Sequence, residues 1–189
     1  MLLRVSKNLA FLCLVSAGLA SAQPVGQALF ALPAAGSAGT TGSYFAQNSI
    51  TQLTNFTLPA NTIQLLSLPD ASKFYAISSS ATSPITVLDQ NLSNPTSFGS
   101  FTTGISKAVL SPDGSKLVVL TGGAVHILST ASGKDLTPAG AVLGTGGIDI
   151  AVIQDSRYVF VLGVGPTNQT LLSQIDTAQN RRAILQLVP

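Results

Sequence analysis

The sequence predicts an all-β chain built from repeated four-stranded antiparallel sheets. Three observations carry that prediction. Every acidic residue is Asp (70, 89, 113, 135, 149, 155 and 176), and Glu is absent. Asp favours turns and caps whereas Glu favours helix surfaces, so the acid usage points to strands and loops. Apolar runs of about five residues alternate with turn residues, a spacing that leaves no room for three turns of helix. One pattern then recurs about every forty residues: a short apolar run, a turn, one basic residue and a second apolar run.

Three units show the pattern. They contain "LLSLPDASKFYAI" (65–77), "AVLSPDGSKLVVL" (108–120) and "IAVIQDSRYVFVL" (150–162). Aligning Asp70, Asp113 and Asp155 gives intervals of 43 and 42 and brings Lys73, Lys116 and Arg157 together. In this alignment Gln154-Asp155-Ser156 replaces Pro-Asp-Gly-Ser with one residue deleted. A third run follows in each unit, "PITVLD" (84–89), "AVHILS" (124–129) and "LLSQID" (171–176). A weaker fourth run closes each, "SFGSF" (97–101), "GAVLG" (140–144) and "AILQL" (183–187), and "NFTLP" (55–59) resembles a fourth run ahead of the first unit. "TGG" (121–123) reads as a minimal hairpin loop and "GVGPTNQ" (163–169) as a longer one. The inner runs are apolar at consecutive positions, so both faces of each sheet are buried, whereas "VHILS" alternates. A sheet buried on both faces must be stacked between neighbours. Four-stranded sheets repeating at about 40–45 residues are the mark of β-propeller blades.

The stretch "SPDGSKLVVL…AVHILSTASGK" (111–134) resembles a blade of the YVTN-type β-propeller repeats, relatives of the lactonase-type propellers and of the haem-d domain of cytochrome nitrite reductase. In that pattern a Ser-Pro-Asp-Gly turn joins the first two strands, and a third strand ending in Asp is followed by Thr-x-x-Gly-Lys. The match is good at 111–134 and partial at 69–89; the third unit departs from it. The resemblance covers roughly 62–189 and implies a WD40-like fold rather than an activity, because such blades carry many functions.

The expected organisation is a leader at 1–22, a low-complexity linker or remnant blade at 23–55, and propeller repeats over 56–189, divided at about 62–103, 104–146 and 147–189. Arg4 and Lys7 form a short basic region, Leu9–Gly18 an apolar core, and Ala20-Ser21-Ala22 a small-residue cleavage pattern before Gln23. That is the form of a secretory signal peptide, and the apolar run is shorter than the about 20 residues a membrane span needs. Export to the periplasm or the exterior follows, with no stable membrane span after cleavage. Cys13, the single cysteine, leaves with the leader, and Phe11-Leu12 before it do not fit lipidation. The exported chain then relies on its apolar core without disulfides. Arg4 and Lys7 also leave, so seven basic residues face seven Asp and the net charge of +2 vanishes. That balance gives no basic stripe for nucleic acid. Three blades and a remnant are fewer than the about four to eight of typical propellers. The chain is a fragment of a longer product, or two chains close a ring, or residues 23–61 supply a fourth small blade.

No residue set fixes a reaction. His126, the single histidine, lies between Val125 and Ile127 in an alternating strand and reads as a surface or edge histidine; a zinc site needs three or four ligands. No Ser stands in a Gly-x-Ser-x-Gly elbow. Gly144-Thr145-Gly146-Gly147 and Gly163-Val164-Gly165 read as turns, because neither opens a helix with a Lys-Ser/Thr pair. Pro69, Asp70, Pro112, Asp113, Gly114 and Asp155 read as structural turn residues, each Asp accepting backbone N–H groups and each basic residue starting the next strand. Asp149 and Asp155 are conceivable as paired carboxylates across blades. Arg181-Arg182 reads as a solvated strand start. Asn55, Asn91 and Asn168 head sequons that matter only in a eukaryotic secretory pathway. No catalytic, cofactor or metal residue is assigned.

The functional expectation is an exported, non-catalytic repeat module for binding or scaffolding. Its ligand, a protein, carbohydrate or small molecule, is expected on the central axis or the loops where blades converge. Self-association through open blade faces is a further expectation. The alternatives are an N-terminal piece of a larger propeller enzyme (a lactonase, hydrolase or redox subunit) and a truncated, inactive reading frame. The leader is directly testable: N-terminal sequencing of the exported chain is expected to begin at Gln23, and a start at Met1 would refute cleavage.

Overall fold

The structure is a computed structural model, and it describes residues 12–14, 28–31, 41–46, 49–137, 147–165, 168–179 and 181–186. The described secondary structure is entirely β. Four antiparallel sheets follow one another along the chain. The first holds β1 (Leu12–Leu14), β2 (Ala28–Ala31), β3 (Thr41–Ala46) and β4 (Ser49–Thr57). The second holds β5 (Thr62–Ser67), β6 (Lys73–Ser78), β7 (Ile85–Asp89) and the two-residue β8 (Thr96–Ser97). The third holds β9 (Ile105–Leu110), β10 (Lys116–Thr121) and β11 (Ala124–Ser129). The fourth holds β12 (Gly147–Val152), β13 (Tyr158–Val164), β14 (Thr170–Asp176) and β15 (Arg181–Gln186). Within each sheet the strands lie in chain order, so every sheet is a meander.

Some boundaries differ from expectation. The fourth run of the second sheet is strand only at Thr96–Ser97. Phe98 still donates its N–H to Ile85 O at 3.0 Å, and the rings of Phe98 and Phe101 pack against the core, where Phe98 meets Tyr75 edge-on with centroids 5.3 Å apart. The run at 140–144 lies outside the described residues. Gly163 and Val164 belong to β13, and Gly147 opens β12, rather than forming turns.

Alternation along the second strand of each unit explains the stacking. Side chains of a strand point to opposite faces. From β6, Phe74 and Ala76 pack with Phe56, in β4 of the first sheet, and Leu58 just after it. Tyr75 and Ile77 point the other way and pack with Ile105, Leu117 and Val119 of the third sheet. From β10, Val118 and Leu120 continue the series against Ile150, Val159 and Val161 of the fourth. β6 and β10 are therefore buried on both faces after their first residue.

The second, third and fourth sheets converge at their first strands. β9 touches both β5 and β12, while no comparable contact among the described residues joins β7, β11 and β14. Sheets that meet at one edge and fan apart at the other have the wedge geometry of propeller blades. The close edge leaves little space. A Cβ placed on Gly104 would lie 1.7 Å from the Ser79 carbonyl oxygen of the preceding sheet. Gly147, which holds the register place of Ile105 in the next sheet, donates its N–H to Gly123 O at 3.3 Å. Hydroxyls repeat there too: Ser78 Oγ donates to Ala60 O at 3.0 Å, and Thr121 Oγ1 donates to Thr103 O at 3.1 Å.

Two substitutions test this packing. Leu120→Ala is expected to cost about 2–5 kcal/mol in urea unfolding, as buried Leu truncations do. Gly104→Ala is expected to cost about 1–3 kcal/mol because backbone must move to admit the methyl. A Gly104→Ala chain as stable as the wild type would refute the close approach.

Candidate functional site

The three repeated turns share one geometry. Leu68 N–H donates to Lys73 O at 3.0 Å, Ser111 N–H to Lys116 O at 2.9 Å, and Ile153 N–H to Tyr158 O at 3.2 Å. The fourth residue of each is left-handed, with φ 55° at Ala71, 72° at Gly114 and 58° at Ser156. An Asp precedes each of them. Asp70 Oδ1 accepts from Ser72 N–H at 3.0 Å, Asp113 Oδ1 from Ser115 N–H at 2.9 Å, and Asp155 Oδ1 from Arg157 N–H at 2.9 Å.

This geometry corrects the sequence alignment of the third turn. Ile153 to Tyr158 spans the same length as Ser111 to Lys116, so no residue is deleted within it. Arg157 stands where Ser115 stands, and Tyr158, not Arg157, takes the place of Lys116. Arg157 instead forms a forked pair with Asp176 at the end of β14, Nη2 to Oδ2 at 2.7 Å and Nε to Oδ1 at 3.1 Å. Its guanidinium also lies 4.9 Å from the centre of the Tyr158 ring. Matching by charge misplaced it, because the turn repeats by backbone conformation rather than by side-chain sign.

The turns also join neighbouring sheets. A Cβ on Gly114 would come within 2.7 Å of Pro69 Cδ, so the second and third sheets touch through these positions. Asp113 N–H donates to Ser156 Oγ at 3.0 Å, and Lys116 Nζ donates to Ser156 O at 3.3 Å, linking the third sheet to the fourth. Burial pushes the Asp113 carboxyl up, but hydrogen bonds from Ser111, Ser115 and Ser156 outweigh it and hold the group down at about 2. The Arg157 hydrogen bond holds Asp176 at about 2 as well.

A second repeated position lies on the convergent first strands. Gln64 pairs in register with Ile77, Lys107 with Leu120, and Asp149 with Leu162, so these three residues occupy equivalent places. Each one bridges or faces its neighbour. Gln64 Oε1 accepts the N–H of Ala108 at 2.8 Å. Lys107 Nζ forms an ion pair with Asp149, and that hydrogen bond is the main reason the Asp149 carboxyl is held below its usual range. The two side chains remain 38% and 50% exposed, so the pair can be reached from solvent. Ile148 beside it is 57% exposed. The row joins a cation, an anion, an amide and an apolar group, which suits a polar ligand held by hydrogen bonds and charge. Sequence reasoning missed it: Gln64, Lys107 and Asp149 differ in type, and only strand register reveals their equivalence.

The remaining candidates fall elsewhere. Asp149 is committed to Lys107, whereas Asp155 caps the turn leaving β12. His126 is half-exposed; its Nδ1 lies 2.7 Å from Asp135 Oδ2, and Phe101 meets its ring edge-on at 5.1 Å. Arg181 is exposed at the start of β15. Among the described residues, no group of three or more His, Cys, Asp or Glu could hold a metal ion, and no helix is long and apolar enough to cross a membrane.

Comparison with known proteins bears on the fold. No protein-family model matches the chain, and no curated protein matches it. Among solved structures it is similar to Kuenenia stuttgartiensis hydrazine synthase, with a TM-score of 0.66 at 13% identity, over 84% of this chain and 46% of that one. The fold is β-propeller-like. At that identity the likeness concerns fold alone, and the match spans about half of the hydrazine synthase chain.

Acid unfolding tests the turn carboxylates. A carboxyl depressed to about 2 when folded, against about 3.9 when unfolded, stabilises the fold above about pH 4. That contribution is lost as pH falls from about 4 through about 2. The urea midpoint is expected to drop from pH 7 to pH 3 and to drop less in Asp113→Asn. An equal drop in both chains would count against the Asp113 assignment.

Proposed function

We propose that the chain is an exported module of YVTN-type repeats that binds or scaffolds without catalysing a reaction. The observation that carries this reading is the row Gln64, Lys107 and Asp149 on the convergent first strands. Clefts where repeated elements converge are preferred ligand sites, and here each repeat contributes one polar group to the same rim. The ligand is a small polar molecule or a carbohydrate whose hydroxyl and charged groups replace water at the exposed Lys107–Asp149 pair. The amino-terminal leader pattern supports export, and the repeated Asp-capped turns support the repeat assignment.

A second reading is supported by one observation. On this reading the chain is an N-terminal piece of a larger propeller enzyme, or a truncated inactive reading frame; the similar solved chain is about twice as long as the match.

Two measurements separate the readings. A glycan array probed with the wild-type chain is expected to give selective signals that fall at least about tenfold in Lys107→Ala. Hydrolysis of a simple lactone and of a nitrophenyl ester is expected to stay at the buffer rate. Turnover abolished by Lys107→Ala would overturn the non-catalytic reading, and array binding unaffected by Lys107→Ala would overturn the site.

A further inference from the structure

The outward face of the fourth sheet carries a third copy of a pattern that the two preceding sheets bury. In the second sheet, Tyr75 lies opposite Val87 and Ile77 opposite Ile85; Tyr75, Ile77 and Ile85 are 0% exposed against the third sheet. In the third, Val118 lies opposite Ile127 and Leu120 opposite Val125; all four are at most 1% exposed against the fourth. In the fourth, Phe160 lies opposite Gln174 and Leu162 opposite Leu172. These four residues hold the equivalent register places, yet all are only half-buried. Val159 and Val161 already fill the inner side of β13, so strand alternation turns Phe160 and Leu162 to the other face.

The chain itself shows what covers such a face. In both internal examples the cover is another sheet of the same repeat, seated through the same register positions. We propose that a second copy of this chain docks on the face formed by Phe160, Leu162, Leu172 and Gln174, extending the blade series across the two molecules. Gln174, in place of Val87 and Ile127, gives the face a polar spot that a blade within one chain does not need but an exposed surface does. The proposal rests on the propeller-like repeat and not on the ligand, and the test reads mass, which a failure of ligand binding would leave unchanged.

The experiment is sedimentation velocity on the whole chain as purified after export, at roughly 10 and roughly 100 µM and at about 0.15 and about 1 M salt. The expected result is a species of two copies that persists at high salt, because apolar contact is not screened. Phe160→Asp and, more gently, Gln174→Arg are each expected to weaken it at least about tenfold in Kd while strand circular dichroism is retained. Should Phe160→Asp lose its fold, Gln174→Arg decides. A wild-type monomer at roughly 100 µM overturns the proposal. So does a mass beyond two copies, or a two-copy species that survives Gln174→Arg in a folded chain.

Discussion

The structure depends on one constraint: the second strand of a repeat is apolar on both of its faces. Leu117, Val118, Val119 and Leu120 are all at most 1% exposed, and they divide alternately between two neighbouring sheets. No single four-stranded sheet could hide both sets from water. Each sheet therefore borrows its stability from the next, as in repeat proteins whose energy is a sum over neighbours. The core is accordingly a series of layers between sheets rather than one central cluster.

Polar contacts set how those layers are spaced. Along the convergent edge, Gln64 reaches Ala108 and Lys107 reaches Asp149, and Gly104 allows backbone to touch backbone. Along the turn rim, Ser156 receives Asp113 N–H, and Pro69 rests on Gly114. Toward the outer edge the sheets separate and large rings fill the gap, with Phe98 against Tyr75 and Phe101 against His126. A narrow edge of glycine and a wide edge of aromatics together impose the wedge. The same arrangement places the half-exposed Lys107–Asp149 pair where the repeats meet.

The turn at Pro112-Asp113-Gly114 was legible as a turn because Pro, Asp and Gly each limit the backbone locally. The third turn was legible only in outline. Gln154, Asp155 and Ser156 hide a left-handed position that Ser156 occupies without being glycine. Its contact with Asp113, 43 residues away, lies against another sheet that no local pattern reveals. The Asp135 partner of His126 was equally hidden, because the loop between them folds back to form the bridge from Leu128 to Asp135.

Nothing in the sequence marked β1, inside the expected leader, or the shortness of β8, but local pattern did mark the main strands of the three repeats, their order and the doubly apolar character of β6 and β10. Those properties follow from alternation, turn chemistry and spacing, which act over a few residues. Only the tertiary structure decided which residues of different repeats are equivalent, which side chains cross from sheet to sheet, and which copy of the repeated face is left half-buried. Register and stacking join residues about forty positions apart, and the physical reason is that contact in space, not proximity along the chain, settles them.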